Sequence, residues 1–172
     1  ESCFVTGNSF SPTDGIGTND VDAGTTTLIT DLIDLTEYAN PAFTYMRWYT
    51  NSPPSGANPG ADWWQVQLSD DGGFSWVYLE DTKSSDATWR RKAFRISDYV
   101  ELTDQFMMKF NASDSLRPGQ NLNGGSLVEA GLDDFKIYEM SDPNGLEDMI
   151  IEESITLYPN PTSDEINISF MI

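Results

Sequence analysis

Acidic side chains at two places in the chain have the chemistry of a site for a hard cation. Asp20 and Asp22 follow Asn19 in a loop rich in glycine and threonine, and Asp133 and Asp134 interrupt an otherwise apolar strand pattern. Ca²⁺ takes about six to eight oxygen ligands from carboxylates, carbonyls and water in irregular geometry. A bulge at Asp133 would let a carboxylate point at a loop. The other interpretation is that Asp20 and Asp22 cap turns and that Asp133 accepts backbone N–H groups.

A second candidate site consists of polar and aromatic side chains that alternate with apolar ones. Successive side chains of a strand point to opposite faces of its sheet. This rule places Met46 and Trp48 towards the core. It places these residues on the outer, binding side: Tyr45, Arg47, Tyr49, Trp63, Gln65, Gln67, Lys109 and Glu129. Aromatic rings beside amide and charged groups suit a sugar ring, an extended peptide or a neighbouring domain. The alternative is a solvated sheet face on which Arg47 and Glu129 form a cross-strand ion pair.

Catalytic chemistry finds little support in the residue types. The chain has no His and a single cysteine, Cys3, which argues against the usual zinc sites and excludes histidine-assisted nucleophiles. A carboxylate pair such as Glu129 with Asp133 or Asp62 could serve a glycosidase, but 28 acidic residues make chance pairs inevitable. We therefore expect this chain not to be an enzyme.

Composition limits the partners. Nine basic residues against 28 acidic ones give a formal charge of -19, which would repel nucleic acid and anionic membrane surfaces. No apolar run reaches the length of a transmembrane helix. The length of 172 residues predicts one domain plus a tail. Because it opens at Glu1 without a signal peptide, we expect the chain to be a piece of a longer protein.

Short β-rich runs separated by Gly, Pro, Asn, Asp and Ser predict an all-β sandwich. The predicted strands are Thr25–Thr30, Ala42–Thr50, Trp63–Ser69, Val77–Asp81, Trp89–Arg95, Gln105–Ala112 and Leu127–Glu139. A helical turn is predicted at Ile96–Tyr99, and Asp71-Gly72-Gly73 predicts a tight hairpin turn. Residues 1–140 would form this domain, and residues 141–154 an acidic linker.

The tail has a sequence signature of its own. Residues 155–172 contain Tyr158-Pro159-Asn160-Pro161 followed by alternating apolar residues, which predicts a strand, a proline turn and another strand. The tail closely resembles the opening of the type A C-terminal sorting domain of the type IX secretion system. That resemblance implies export across the outer membrane by this machinery, with only the first part of the sorting domain present.

The body resembles the jelly-roll modules related to MAM and cleaved-adhesin domains, which occur C-terminal to secreted bacterial peptidases. The matching pieces are Asp20–Leu28, Tyr45–Tyr49, Val66–Gly73 with Trp76, and Val128–Phe135. The resemblance implies a non-catalytic module whose first and last strands meet at one end, where the acidic residues named above would bind a structural calcium.

Together these features predict an antiparallel jelly-roll β-sandwich that serves as an accessory or binding module of a secreted or cell-surface protein, such as a metallopeptidase. The alternative is a carbohydrate-binding module or a surface adhesin. The expected partners are upstream domains of the same polypeptide, the type IX machinery, and a glycan or other surface polymer, with no nucleic acid and no membrane insertion.

Overall fold

The chain folds into strands that pair across long sequence distances. The computed structural model describes residues 3–7, 11–14, 17–22, 24–51, 60–114 and 127–140, and the backbone of two tail strands. The described residues form the strands β1 (Phe4–Val5), β2 (Thr25–Ile29), β3 (Pro41–Thr50), β4 (Trp63–Ser69), β5 (Val77–Thr82), β6 (Arg90–Arg95), β7 (Met107–Ser113), β8 (Glu129–Glu139), β9 (Ile155–Tyr158) and β10 (Asn167–Phe170). A short 3₁₀ helix, Ile96–Asp98, follows β6. No helix among the described residues is long and apolar enough to cross a membrane.

Two antiparallel four-stranded sheets make up the body. Sheet one has the order β1-β8-β3-β6, and sheet two has the order β2-β7-β4-β5. Every pairing within them is antiparallel. The two sheets pack face to face, since the Tyr45 ring of sheet one meets the Phe110 ring of sheet two at 5.3 Å between centroids. The predicted all-β sandwich is confirmed.

Most predicted strands are close to the observed ones. β4 has the predicted bounds, and the predicted strand after the hairpin turn is extended by one residue to Thr82. β7 begins two residues later than predicted, at Met107, because the preceding Phe106 makes only an isolated bridge to Ile33. β1 was not predicted, since two residues carry no alternation pattern.

The core is built from the inward residues of both sheets. Trp64, Val66 and Leu68 of β4 are buried, as are Phe106, Met108 and Phe110 around β7, which confirms the alternation predicted for these two segments. Burial of such side chains contributes about 1.5–3 kcal/mol each.

In β3 the predicted faces are reversed. Tyr45 and Tyr49 are 0% and 1% exposed, Arg47 is buried, and Met46 and Trp48 are half-exposed instead. The sequence placed Met46 and Trp48 inside because they are the more apolar pair. The structure buries the tyrosines and the arginine because their polar ends find hydrogen-bond partners inside the sandwich, which removes the penalty for burying them.

A serine-aspartate turn closes the β4–β5 hairpin where the sequence predicts it. Gly72 and Gly73 have φ of 71° and 90°, a conformation that glycine adopts without steric cost. The Asp71 carboxylate accepts hydrogen bonds from the Ser75 N–H at 2.9 Å, the Ser75 hydroxyl at 2.6 Å and the Ser69 hydroxyl at 2.7 Å. These bonds, with that of the Ser75 hydroxyl the largest cause, lower the pKa of Asp71 to about 2.

We expect Asp71→Asn to destabilise the chain at neutral pH and to matter less in acid. A lowered carboxyl pKa contributes stability that is present above the unfolded value of 3.8 and is lost as pH falls through about 2. Urea midpoints of wild type and variant should therefore differ at pH 6 and converge between about pH 4 and pH 2. A gap that is constant with pH would contradict this role of the carboxylate.

A bulge lies where the acidic pair interrupts β8. Thr44 pairs with Lys136 and Met46 pairs with Asp133, so that Tyr45 alone faces the two residues between them. The first of these, Asp134, has a positive φ of 56°. The predicted bulge is thus present, and it turns Phe135 against the core rings of Tyr45 and Phe110.

The tail contains two paired strands. β9 and β10 pair antiparallel, with Tyr158 opposite Asn167 and Ile155 opposite Phe170. This agrees with the predicted strand, turn and strand. Pro159, Asn160 and Pro161 lie outside the described residues, as does the linker at 141–154.

Candidate functional site

The residues of the predicted binding face are divided between the core, sheet one and sheet two. Tyr45, Arg47 and Tyr49 point into the sandwich and are unavailable to a ligand, so their assignment to the binding face was wrong. Glu129 belongs to sheet one. Trp63, Gln65, Gln67 and Lys109 are on sheet two, where all four are half-buried on its outer side.

The buried part of that set forms a charged cluster between the sheets. The Glu80 carboxylate of β5 accepts hydrogen bonds from the Tyr45 hydroxyl and from the Arg47 guanidinium, the latter at 2.7 Å. The Arg47 and Glu80 side chains are 8% and 9% exposed, and Lys92 adds an ion pair to Glu80 at 3.3 Å. Burial, followed by the charge of Glu80, raises the pKa of Tyr45 well above its usual value, so that the phenol stays a donor. This cluster joins the two sheets.

The outer side of sheet two carries a polar surface, which we call the amide face and define by Trp63, Gln65, Gln67, Lys109 and Asn111. Exposed Ile29 and Tyr78 flank it on the two edge strands. Strand register aligns one row across all its strands, from Thr27 through Asn111 and Gln65 to Asp81. The Thr27 hydroxyl donates to Asn111 Oδ1 at 2.8 Å, and Gln65 Nε2 donates to Asp81 Oδ1 at 3.1 Å. The side chains of this row are therefore held by one another before any partner arrives.

Each tryptophan of this region carries a lysine ammonium. Lys83 Nζ lies 4.6 Å from the Trp63 ring centroid, and Lys109 Nζ lies 4.0 Å from that of Trp76. Such cation–π contacts contribute about 0.5–1 kcal/mol at exposed sites. Partial burial lowers the pKa of Lys109. The indoles are thus fixed in place, with one side occupied by a cation.

The predicted calcium ligands are dispersed. Asp133 Oδ1 accepts the N–H of Asp134 at 2.7 Å, and the Asp134 carboxylate pairs with Lys136 at 2.7 Å. Asp20 lies near Asp22 and Glu129, and β8 continues from Glu129 for about 13 Å before it reaches Asp133. In the described part of the chain no three Asp, Glu or Cys side chains are placed to hold a metal ion together. Calcium stays a prediction.

Asp20 and Glu129 are nevertheless an electrostatically unfavourable pair. Burial, and then the charge of Asp22, raises the pKa of Asp20. Burial, and then the charge of Asp20, raises the pKa of Glu129. A raised carboxyl pKa means that ionisation costs folding stability at neutral pH, and that this cost disappears as pH falls through the folded pKa. A bound cation at this end of the sandwich would remove the same cost.

If calcium binds there, removal of it should lower the melting temperature. A ligand present at about 100 times its Kd stabilises by about 2.7 kcal/mol, which corresponds to roughly 5–10 °C for a chain of this size. We expect a chelator to lower the melting temperature by that amount, added Ca²⁺ to restore it, and Asp20→Asn to weaken the response. Asp31→Asn, a change of equal charge in an exposed loop, is the control. A melting temperature that does not change with the chelator would show that calcium does not stabilise the chain.

Some potentially functional residues were not identified from the sequence. Asn111 and Asp81 complete the polar row of the amide face, and only strand register could place them beside Gln65. Trp48 and Trp89 lie on the outer side of sheet one, because the faces of β3 are reversed. Phe43, two residues before Tyr45, was the available signal that the odd-numbered side of β3 is the apolar one.

The fold defines the class of this chain as an antiparallel β-sandwich of two four-stranded sheets. In comparisons with known proteins, no family model and no curated protein matches it.

Proposed function

We propose that this chain is a non-catalytic binding module of a secreted or cell-surface protein, and that the amide face is its contact surface for a neighbouring domain of the same polypeptide. The observation that carries the proposal is the polar row across sheet two, in which threonine, asparagine, glutamine and aspartate side chains are aligned and partly bonded to one another. Side chains that are ordered beforehand lose less entropy when a partner binds.

The chemistry of the amide face suits a polar macromolecular surface. Gln65 and Gln67 offer amide donors and acceptors that can pair with backbone or side-chain amides of another domain. Asn111 is only 9% exposed and holds Thr27 in the row. Lys83 and Lys109 supply positive charge in a chain whose formal charge is -19. A partner with acidic and amide groups would thus find complementary charge on this face.

Export by type IX secretion is the second part of the proposal. The sheet orders β1-β8-β3-β6 and β2-β7-β4-β5 support the jelly-roll part of the proposal. The relation to modules of secreted peptidases rests on the sequence resemblance alone. Support for the sorting signal comes from the tail sequence at Tyr158–Pro161 and from the antiparallel pairing of the strands on either side. A structural calcium belongs to the same proposal and has the chelator test described above.

Cross-linking of the intact secreted protein tests the docking surface. We expect an amine-reactive cross-linker to join Lys83 and Lys109 to residues outside this chain. Lys136, on sheet one and 61% exposed, is the internal control and should give no such product. Cross-links from Lys136 but none from Lys83 or Lys109 would place the contact on the other sheet and overturn the proposal.

The alternative is a carbohydrate-binding module or surface adhesin that uses the same face. Trp63 beside Gln65 and Gln67 favours it, because an indole with adjacent amides can bind the apolar side and the hydroxyl rim of a sugar ring. A glycan array separates the two functions. Strong glycan binding that is lost in Trp63→Ala and kept in Trp76→Ala would favour the carbohydrate-binding function.

A further inference from the structure

A small pocket on the outer side of sheet one lies opposite the amide face. Its volume is about 190 Å³, and its walls include Trp48, Trp89, Glu129 and Gly131. We call it the Trp48–Trp89 pocket and define it by these four residues. It has room for several waters, which is the scale of one compact head group.

The floor of the pocket depends on a glycine. Gly131 pairs directly with Trp48 on β3 and with Val5 on β1, so it lies in the middle of a row across the sheet. A Cβ at this position would lie 2.9 Å from Cη2 of Trp89. The absence of a side chain therefore lets the Trp89 indole approach the strand backbone, while 41% of that residue stays exposed.

The indole rings of this pocket differ from those of Trp63 and Trp76 in having no cation over them in the part of the chain that the structure describes. Among the described residues, no lysine or arginine lies over the ring of Trp48 or Trp89, whereas Trp63 and Trp76 each carry an ammonium group. An indole face is the best aromatic partner for a cation. The two indoles of this pocket are open to such a partner.

A positive charge would also stabilise the carboxylate of the pocket. Glu129 is half-buried beside Asp20, and within the described part of the chain it forms no ion pair. Arg91 lies in the row of Met46 and Asp133, which is about 13 Å along the strands from Glu129 and about 7 Å from the row of Trp48. Two indoles and a carboxylate that form no cation–π contact or ion pair among the described residues are the chemical environment that binds quaternary ammonium ions.

We propose that the Trp48–Trp89 pocket binds an alkylated ammonium group, of the class of choline or a methylated amine, with the indoles against its methyl groups and Glu129 beside its charge. This site is independent of the amide face, so it can be occupied whether or not the neighbouring-domain proposal holds.

Titration of the intact chain with choline chloride tests the site, with sodium chloride at equal ionic strength as the blank. The indole N–H signals of the five tryptophans in an NMR spectrum report which rings respond. We expect two of them, Trp48 and Trp89, to shift with a Kd in the range of about 1 mM to 50 mM. The uncharged tert-butyl analogue of choline, which has the same shape, should cause no saturable shift.

Three variants locate the binding. Trp89→Ala and the isosteric Glu129→Gln should each weaken choline binding by about fivefold, the scale of one partly exposed cation–π contact or ion pair. Trp63→Ala on the opposite sheet should leave it unchanged. Thermal unfolding of each variant verifies that the sandwich is intact, and Glu129→Gln keeps the test valid if the loss of Trp89 disturbs the sheet.

Three results would overturn the proposal. Equal binding of the uncharged analogue would make the pocket merely apolar. No shift at about 50 mM choline would remove the site, because weaker binding than this has no specificity. A response to calcium chloride at Glu129 without any response to choline would assign the carboxylate to a metal ion.

Discussion

Replacement of Glu80 by alanine is expected to destabilise the chain by about 3–5 kcal/mol, because it removes one partner of a buried ion pair and leaves the other charge uncompensated. The Arg47 side chain is 8% exposed and its guanidinium donates to Glu80 at 2.7 Å. The Tyr45 hydroxyl loses its acceptor in the same variant. Urea unfolding followed by tryptophan fluorescence measures the change.

Glu80→Gln is the matched control for this prediction. It keeps the volume and an acceptor oxygen for Tyr45 and removes only the negative charge. We expect its loss of stability to lie between those of wild type and Glu80→Ala. If Glu80→Ala costs less than about 1 kcal/mol, the pair is solvated and behaves like an exposed salt bridge. The cluster would then not join the two sheets as we describe.

Replacement of Phe110 by alanine is expected to cost about 3–5 kcal/mol, the usual cost of a large cavity in a core. Phe110 is 2% exposed, and its ring lies edge-on to Tyr45 at 5.3 Å and to Phe135 at 5.4 Å. It is therefore one of the points at which the inward side chains of the two sheets meet, as are Tyr49 and Trp64. Urea midpoints measured at constant m-value give the change in free energy.

Met46→Ala is the control for the core variant, and it also tests the reversed faces of β3. Sequence alternation predicts that Met46 is a core residue, which would make its loss cost about 2–5 kcal/mol. In the structure Met46 is half-exposed, so we expect less than half of the loss seen for Phe110→Ala. Equal losses would show that Met46 lies inside after all.

Alternation predicted the sheets well wherever one side of a strand is clearly apolar. β4 is such a case, since Val66 and Leu68 have polar neighbours on both sides in the sequence and Trp64 continues the same apolar side. Turn chemistry was equally informative at Asp71-Gly72-Gly73, because the positive φ of a tight turn needs glycine. In these segments the local pattern and the tertiary structure agree.

The faces of β3 could not be predicted in the same way. Both of its sides carry aromatic residues, so burial is decided by whether Tyr45, Arg47 and Tyr49 find partners for their polar ends. The partner of Tyr45 and Arg47 is Glu80, which is distant in sequence. Asn51, whose amide donates to the Tyr49 hydroxyl at 3.1 Å, is close in sequence, but the alternation pattern does not reveal this bond. A one-residue error of this kind moves every side chain of the strand to the other face.

The candidate sites, like the strands, could be predicted only where alternation is clear. Trp63, Gln65, Gln67 and Lys109 were correctly placed on one outer face, since β4 and β7 pair in the register that the alternation requires. The Trp48–Trp89 pocket could not be predicted, because its floor is a glycine on β8 and its walls come from β3 and from the residue that precedes β6. Only the pairing of distant strands brings these residues together.

Lysine reactivity in the longer protein that we propose tests the central proposal, which is that the amide face contacts a neighbouring domain. Reductive methylation rates of Lys83, Lys109 and Lys136 should be compared between that protein and this chain alone. We predict that Lys83 and Lys109 react at least about tenfold more slowly in the intact protein, the factor that corresponds to about 1.4 kcal/mol of protection, while the rate of Lys136 is unchanged. Equal rates for all three lysines in both forms would contradict the account.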